Sequence, residues 1–141
     1  MIFRPLNNND YNYFLLLLNE FRKTHFSYEQ FTELLEKQKQ VSIYVLEDIE
    51  NKQIIGTGTI LFEQKFIHNI SLYSHIEDII IKKEYRGYGY GKKLIEHLIE
   101  ICKQNNCYKI LLDCESKLEY FYEKCGFENK GSQMVIYCNN K

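Results

Sequence analysis

The sequence predicts a single domain of the α/β (α+β) class, in which helices flank a mixed, mostly antiparallel central sheet. The chain has 141 residues, which suffice for one hydrophobic core and not for two. Its 45% hydrophobic and 26% charged residues give the balance of a folded protein rather than a disordered one. The apolar spacing changes between strand and helix periods in the order βααβββαβαβ, so that an antiparallel meander precedes a βαβ unit.

The first elements along the chain are a strand and two helices. The strand covers residues 2–5 and ends at Pro5 and an Asn-rich turn. Asp10 is the expected N-cap of the first helix, and Ser27 begins the second. The apolar residues at helical spacing, which we expect to face the core, are Tyr11, Phe14, Leu15, Leu18, Phe21, Phe31, Leu34 and Leu35.

Three strands of an antiparallel meander follow, over residues 41–46, 54–62 and 75–81. A polar hairpin tip, residues 48–53, joins the first two of these strands. Gly56 and Gly58 lie inside the second strand, where glycine indicates a bulge or the close approach of a neighbouring element.

The C-terminal half of the chain completes a βαβ unit and ends in a last strand. The predicted elements are a helix over residues 92–104, a buried strand over 108–113, a short helix over 117–124 and a final strand over 134–138. The apolar residues on the inner face of the helix over residues 92–104 are Leu94, Ile95, Leu98, Ile99 and Cys102. Gly126 ends the short helix as a C′ residue.

The charge balance argues against a nucleic-acid-binding protein. Lys and Arg together number 18 and Asp and Glu 19, so the net charge is −1 and there is no basic excess. Only three of the cations are arginines, namely Arg4, Arg22 and Arg86. Each of them is a candidate for recognising a carboxylate or a phosphate, because the guanidinium is a planar fork of donors.

Neither a membrane protein nor a metalloprotein is expected. The longest apolar run is five residues, and the N-terminus lacks the features of a secretory signal. The five cysteines form no C-x-x-C pair, and the histidines have no metal-ligand spacing. We therefore expect reduced cysteines, a cytoplasmic location and no bound metal.

The strongest chemical signal is the glycine-rich turn over residues 86–91, between a strand and a helix. Glycines allow a tight turn that exposes successive backbone N–H groups at a helix N-terminus, where phosphate or pyrophosphate binds. The three glycines are spaced G-x-G-x-G, which fits neither the Walker A loop nor the dinucleotide-binding G-x-G-x-x-G. The pattern that remains is R-x-x-G-x-G, from Arg86 to Gly91.

This loop resembles the pyrophosphate-binding loop of the GNAT superfamily of acyl-CoA N-acyltransferases. Five further segments resemble one branch of it, the glucosamine 6-phosphate N-acetyltransferase family. They are residues 65–68 (KFIH), 75–79 (HIEDI), 106–110 (NCYKI), 112–114 (LDC) and 121–127 (FYEKCGF). The close match covers about half of the chain, over residues 62–127, and a weaker one is traceable over residues 3–31.

The resemblance implies that the acetyl group of acetyl-CoA is transferred to the 2-amino group of glucosamine 6-phosphate by direct attack of the amine. In this arrangement a strand edge pairs with the pantetheine arm, and the glycine-rich turn holds the pyrophosphate. The implied acetyl-CoA-binding residues are Ile79, Ile80, Ile81, Tyr85, Arg86, Gly87, Tyr88, Gly89, Tyr90, Gly91 and Tyr122. The family is homodimeric, and the resemblance implies a dimer through the last strand.

The resemblance also implies catalytic and sugar-binding residues. Tyr122 takes the position that faces the CoA sulfur, where a phenol can protonate the departing thiolate; the other interpretation is an ordinary core tyrosine. Glu77 or Asp113 would orient the amine or take its proton, while Asp113 could instead cap the helix that follows. The implied substrate-binding residues are Lys65, Phe66, Ile67, His68, Glu77, Asp78 and Asp113.

Glu77 and Asp78 also point to a ligand on physical grounds. They are adjacent carboxylates in an otherwise apolar strand, so their side chains are expected on opposite faces. One of them would then face the packed side of the sheet or a cleft, where an unpaired carboxylate is costly. We therefore expect a ligand beside this pair.

Two positions depart from the family pattern. Leu118 stands where many members have an Asn that reaches the CoA arm. Tyr137 stands where the family often has an Arg that reaches across the dimer to the sugar phosphate. Arg22 is our candidate for the missing cation, with Lys23 and Lys130 as others.

Two other functions stay open at this point. A GNAT acyltransferase of the same fold could act on another amine, such as a protein N-terminus, a polyamine or an aminoglycoside. A non-catalytic acyl-CoA sensor could use the same loop, although a sensor does not need Tyr122 and the three carboxylates around the thioester.

Overall fold

Within residues 1–139, five strands form one sheet whose spatial order follows the chain order. The structure is a computed structural model, and it describes residues 1–139. The strands are β1 (Ile2–Pro5), β2 (Val41–Asp48), β3 (Gln53–Gln64), β4 (Leu72–Ile81) and β5 (Lys109–Leu111). Neighbouring strands are antiparallel except β4 and β5, which are parallel. The predicted mixed, mostly antiparallel sheet is confirmed.

Helices and short turns connect these strands. The helices are α1 (Tyr11–Phe21), α2 (Tyr28–Lys37), α4 (Tyr90–Gln104) and α5 (Glu119–Lys124), and a single turn, α3 (Ile67–Ile70), precedes β4. Three single 3₁₀ turns cover Asn8–Asp10, Lys83–Tyr85 and Ser116–Leu118. The order of the predicted elements is therefore confirmed as far as α5.

Of the two predicted N-cap side chains, that of Ser27 caps its helix and that of Asp10 does not. Ser27 accepts a hydrogen bond from the Gln30 backbone N–H, and the Gln30 side chain accepts one from the Ser27 backbone N–H. Asp10 precedes α1 but makes no capping hydrogen bond to it. Its buried carboxylate accepts from Arg4 and from the Asn7 backbone N–H instead, because these donors compensate the loss of water.

Two hydrophobic clusters form the core. The cluster around α1 and α2 contains Leu6, Phe14, Leu17, Phe31, Val45, Ile54 and Ile80. The cluster around α4 and α5 contains Ile60, Ile76, Leu94, Ile95, Leu98, Cys102 and Tyr122. Leu17 is buried although the predicted stripe omitted it, whereas Phe21 and Leu34 are exposed. The buried stripe of α1 therefore stops before its last residue, and α2 buries a narrower face than expected.

A β-bulge interrupts the pairing of β3 with β4. The register shifts between Thr57 and Thr59, and Asp78 on β4 takes a left-handed φ of +52°. Gly58 lies in the bulge under α4, where an added Cβ would come within 2.6 Å of Leu98 Cδ1. Both a bulge and a close approach therefore occur at Gly58, as its glycine predicted.

β4 and β5 separate after three residue pairs. They pair only at Tyr73, Ser74 and His75 of β4. Residues 76–81 of β4 pair with β3 on one side, and within residues 1–139 no strand lies along their other edge. β5 is shorter than the predicted strand over residues 108–113 because the two strands diverge. The divergence leaves an open strand edge that leads toward the glycine-rich turn.

The predicted final strand over residues 134–138 is wrong for the single chain. Residues 128–139 contain no helix or strand, and Met134 and Ile136 are 93% and 89% exposed. A strand persists only where its backbone groups find a partner edge, and this segment pairs with none in the described part of the chain. Asn140 and Lys141 lie outside the described residues.

Candidate active site

The glycine-rich turn leaves backbone donors free at the start of α4. The helix begins at Tyr90, two residues before the predicted start, and Gly87 and Gly89 take left-handed φ values of +84° and +83°. In the described chain, the N–H groups of Gly87, Tyr88 and Gly89 donate to no backbone carbonyl. Free N–H groups at the positive end of a 15-residue helix make a site for an anion.

Arg86 is the arginine placed at this turn. Its Nε donates to the Ile81 carbonyl oxygen at 2.8 Å, which fixes the guanidinium beside the end of β4. Arg4, in contrast, is occupied by ion pairs to Asp10 and Glu47, each at 2.8 Å. The Arg86 charge is thus available to an anion held by the free N–H groups.

A polar network lies under the 3₁₀ turn that precedes the glycines. The Tyr85 hydroxyl donates to Asp48 Oδ2 at 2.7 Å and accepts from Gln53 Nε2 at 2.8 Å. Lys82 Nζ donates to Gln53 Oε1 at 2.6 Å, and Asn51 Nδ2 donates to Asp48 at 2.7 Å. Of these residues, sequence reasoning found only Tyr85. Its partners lie at a hairpin tip whose polar composition is ordinary, so only the long-range contact identifies them.

Tyr122 lies on α5 with 9% of its surface exposed. Its ring packs edge-on against Phe121 and Phe127. Desolvation raises the pKa of the phenol, and the neighbouring Cys114 and Cys125 raise it further. The phenol is therefore neutral at pH 7 and able to donate its proton.

Asp113 and Tyr122 line the same open cavity, which has a volume of about 410 Å³. Asp113 follows β5, and its Oδ2 accepts a hydrogen bond from Gln133 Nε2 at 3.0 Å. It caps no helix, because the 3₁₀ turn that follows begins after Glu115. The alternative interpretation of Asp113 as a helix cap is therefore wrong.

Glu77 and Asp78 are both exposed, so the expectation of a carboxylate on the packed side is wrong, while the alternative of a carboxylate in a cleft stays a prediction. The bulge is the reason, because the left-handed Asp78 breaks the alternation of the strand. Partial desolvation, followed by repulsion from Asp113 and Asp78, raises the pKa of Glu77. The three carboxylates therefore share one negatively charged region, which favours an amine or a cation.

Lys65 is held in place by a carboxylate of β3. Glu63 lies 3.1 Å from Lys65 Nζ and 3.1 Å from His75 Nε2. Hydrogen bonds from His75 and Lys65 lower the pKa of Glu63. The Lys65 and Lys109 ammonium groups each lie 5.1 Å from the centre of the Tyr73 ring. Lys109 is therefore a second cation in this region, which sequence reasoning did not include.

His68 lies in the turn α3, whose backbone is strained. His68 and the two residues after it take left-handed φ values from +51° to +59°. The His68 ring stacks on Tyr108 with 4.4 Å between ring centres. Phe66 and Ile67, the residues just before it, are exposed. The predicted sugar-binding segment therefore protrudes from the sheet beside Lys65.

The candidates for the missing phosphate-binding cation are scattered. Arg22 follows α1, and its guanidinium lies 5.7 Å from the centre of the Phe21 ring. Lys130 lines the cavity of Asp113 and forms an ion pair with Glu128 at 3.2 Å. Arg22 does not line that cavity. The structure does not bring Arg22 to Asp113 and Tyr122.

Three further features of the described residues concern metal ligands, membrane-spanning helices and cysteines. Among residues 1–139, no set of three or more His, Cys, Asp and Glu side chains is arranged to hold a metal ion. Over the same residues, no helix combines the length and the apolar character that crossing a bilayer requires. All five cysteines are free thiols.

This chain is similar to known acetyltransferases. The model of the acetyltransferase (GNAT) family matches residues 9–127. Glucosamine 6-phosphate N-acetyltransferase 1 of Dictyostelium discoideum is 41% identical over 140 residues, which are 96% of this chain and 89% of that protein. Glucosamine 6-phosphate N-acetyltransferase of Arabidopsis thaliana is 42% identical over 95 residues, which are 67% of this chain and 64% of that protein.

The fold is also shared with a solved structure. The crystal structure of glucosamine-6-phosphate N-acetyltransferase from Arabidopsis thaliana superposes with a TM-score of 0.90 at 35% identity. The superposition covers 98% of this chain and 98% of that chain. The similarity therefore extends over the whole sheet and the helices around it.

Proposed function

This chain belongs to the acetyltransferase (GNAT) family, and we propose that it transfers the acetyl group of acetyl-CoA to the 2-amino group of glucosamine 6-phosphate. The products are N-acetylglucosamine 6-phosphate and CoA. The observation that carries this proposal is the 41% identity, over 96% of this chain, to a protein that bears the activity in its name. The candidate site supplies a group for each step of the transfer.

The glycine-rich turn and the open edge of β4 fit acetyl-CoA. The free N–H groups of residues 87–89 and the Arg86 guanidinium suit the two phosphates of the diphosphate. The open edge at Ile79, Ile80 and Ile81 suits the amides of the pantetheine arm, because β5 leaves the hydrogen-bonding groups of this edge unpaired. We assign both segments to the binding of acetyl-CoA, which donates the acetyl group.

The carboxylates and Tyr122 divide the chemistry between them. Glu77, with Asp113 beside it, orients the sugar amine and takes its proton, so that the nitrogen attacks the acyl carbon. The C–N bond forms and the C–S bond breaks, and the electron pair of the broken bond goes to the CoA sulfur. Tyr122 gives its proton to that sulfur and regains one from solvent. The pKa of Tyr122 is raised by burial, so the phenol carries its proton at neutral pH before the transfer.

Lys65 and His68 fit the sugar and its phosphate, and Arg22 is our candidate for the cation that the family often supplies where Tyr137 stands. Lys65 is fixed by Glu63 at 3.1 Å, so little side-chain freedom is lost when the phosphate binds. If Arg22 binds the phosphate, Arg22→Ala raises the KM for glucosamine 6-phosphate and leaves the KM for acetyl-CoA nearly unchanged. An unchanged sugar KM would remove Arg22 from the site.

The proposal includes the state of the whole protein. Residues 1–141 act as a single domain, and two copies associate through the C-terminal segment. The exposed Met134, Ile136 and Tyr137 and the unpaired outer edge of β5 in the described chain support this association. Five free thiols suit the reducing cytoplasm.

Release of the CoA thiol across a panel of amines tests the proposed function. The panel consists of glucosamine 6-phosphate, a peptide N-terminus, a polyamine and an aminoglycoside. We expect the highest kcat/KM with glucosamine 6-phosphate. A higher value with another amine would mean that the acceptor is wrong, and binding of acetyl-CoA without thiol release would indicate a sensor.

A further inference from the structure

The polar network under the glycine-rich turn takes no part in the chemistry assigned above. We propose that Asp48 is a positioning residue for acetyl-CoA, which acts through the Tyr85 hydroxyl to hold the pyrophosphate-binding turn in place. The inference rests on the proposed use of acetyl-CoA. If Asp48 acts in this way, the tip of the β2–β3 hairpin determines part of the affinity for acetyl-CoA.

Asp48 is a buried carboxylate that depends on Tyr85. It is 6% exposed at the end of β2, and no Lys or Arg of the described chain forms an ion pair with it. Its neutral donors are Asn51, through Nδ2 at 2.7 Å and the backbone N–H at 3.3 Å, and the Tyr85 hydroxyl at 2.7 Å. Asn51 belongs to the same hairpin tip as Asp48, whereas Tyr85 belongs to the turn before the glycines, so the bond from the Tyr85 hydroxyl is the one that ties this turn to the hairpin.

The direction of each hydrogen bond in the network is determined. Lys82 has only donors, so Gln53 Oε1 must accept from it at 2.6 Å, and this fixes the orientation of the Gln53 amide. Gln53 Nε2 then donates to the Tyr85 oxygen at 2.8 Å. The single proton of the hydroxyl is left for Asp48. The four side chains therefore form one continuous chain of donors that ends on the carboxylate.

Tyr85 joins this segment to the β2–β3 hairpin two residues before the free N–H groups, whereas the Arg86 bond to the Ile81 carbonyl stays within the segment. The segment is also anchored upstream, since the Lys82 N–H donates to the Ile55 carbonyl at 2.7 Å and the Lys83 N–H to Glu20 Oε2 at 2.9 Å. Beyond Tyr85, other elements of the described chain do not pack closely against the two left-handed glycines, because a Cβ added at Gly87 or Gly89 would meet nothing within 4 Å. The position of the glycine-rich turn therefore depends on the Tyr85 side chain.

This arrangement also changes the role expected of Tyr85. Its hydroxyl is engaged by Asp48 and Gln53, so Tyr85 supports the turn rather than offering that hydroxyl to acetyl-CoA. Hydrogen bonds from Asn51 and Tyr85 lower the pKa of Asp48, so the carboxylate stays ionised at neutral pH.

The test compares three variants with the wild type. Asp48→Ala removes the carboxylate, Tyr85→Phe removes one oxygen atom, and Asn51→Ala is the matched control, because it removes another partner of Asp48 and leaves the bond to Tyr85. Calorimetry gives the Kd for CoA, and thiol release gives the kinetics. We expect Asp48→Ala and Tyr85→Phe each to raise the Kd for CoA and the KM for acetyl-CoA about tenfold, the usual effect of losing a hydrogen bond to a charged group. The Asn51→Ala values should stay close to wild type.

A truncated donor separates positioning of the turn from general damage. S-acetylpantetheine lacks the diphosphate, so Asp48→Ala and the wild type should use it with the same kcat/KM, and the KM for glucosamine 6-phosphate should not change. The double variant of Asp48→Ala and Tyr85→Phe should bind CoA no more weakly than either single variant, because both remove the same bond.

Three results decide the matter. Binding of CoA by Asp48→Ala or Tyr85→Phe as tightly as by Asn51→Ala would overturn the inference, and so would an equal loss with S-acetylpantetheine. If Asp48→Ala does not fold, Tyr85→Phe gives the decision, since it keeps every other atom of the network. A wild type that does not bind CoA would instead refute the proposed donor, and this inference with it.

Discussion

Among single residues, Tyr122 has the environment that an acid for the CoA thiolate requires. Its raised pKa keeps the phenol protonated at neutral pH, and Phe121 and Phe127 fix the direction of the ring. We expect Tyr122→Phe to lower kcat by about a hundredfold or more, the usual contribution of general acid catalysis. The Kd for CoA should not change, because the lost interaction forms only in the transition state. A kcat close to the wild-type value would leave Tyr122 as an ordinary core residue.

The acid limb of the pH profile of kcat/KM for the sugar should report the ionisation of Glu77. Its pKa is raised, so the ionised base is lost as the pH falls through a value above the ordinary pKa of Glu. Asp113→Asn removes one of the repelling charges, so the acid limb of kcat/KM for the sugar should move to lower pH. An acid limb that stays in place in Asp113→Asn would mean that another group controls it.

The same pKa shift predicts an effect on stability. A carboxyl whose pKa is raised by folding destabilises the folded state once it is ionised, above its folded pKa. Glu77→Gln should therefore raise the Tm at pH 8 and leave it nearly unchanged at about pH 3, below the ordinary pKa of Glu, where the carboxyl is mostly protonated in both states. Thermal unfolding at the two pH values provides the measurement. A Tm that rises equally at both would show that the gain does not come from the charge.

The individual site residues were predictable to different degrees. The glycine-rich turn and Tyr122 follow local patterns that the sequence displays. The contacts from Tyr85 to Asp48 and from Gln133 to Asp113 join residues that are distant in the chain, and no local spacing encodes them. Sequence reasoning therefore named candidate reactive groups and missed the side chains that contact them.

At the scale of the elements, the packing of α4 on β3 depends on Gly58. A Cβ at this position would lie 2.6 Å from Leu98 Cδ1 and 2.7 Å from Ile79 Cδ1, inside the core. We expect Gly58→Ala to lower the free energy of unfolding by about 1–3 kcal/mol, the usual effect of overpacking. Urea unfolding measures it, with Gly131→Ala as the control, because Gly131 has open space around it. Equal stabilities of the two variants would show that α4 shifts without strain.

The elements that were predicted well are those with local signals. Ser27 and Gln30 define the start of α2 through a capping box, and Gly126 follows α5 with a left-handed φ of +100°. The strands that depend on a partner were predicted less well. β5 is cut short where β4 diverges, and residues 134–138 lack a partner edge in the single chain. Alternation in a sequence indicates that a strand is possible, and only the neighbouring backbone decides whether it forms.

For the whole molecule, the exposed C-terminal segment predicts self-association. Sedimentation should give twice the 17.0 kDa mass of one chain. Ile136→Asp places a charge in the exposed segment and should shift the protein toward the monomer with a loss of activity. Leu16→Asp is the matched control, since Leu16 is also exposed but lies on α1. A wild type that sediments as a monomer would contradict the proposed dimer.

We propose that this fold presents the amine of a phosphorylated aminohexose to acetyl-CoA. The most direct measurement is the ratio of kcat/KM for glucosamine 6-phosphate to that for glucosamine, with acetyl-CoA as the donor. We expect thiol release with the phosphorylated sugar and a ratio of about a hundredfold or more. A charge-assisted contact to the phosphate contributes roughly 1.5–3 kcal/mol, and Lys65 and Arg22 are both candidates for such a contact. A ratio near one, or no CoA release with either sugar, would contradict the account.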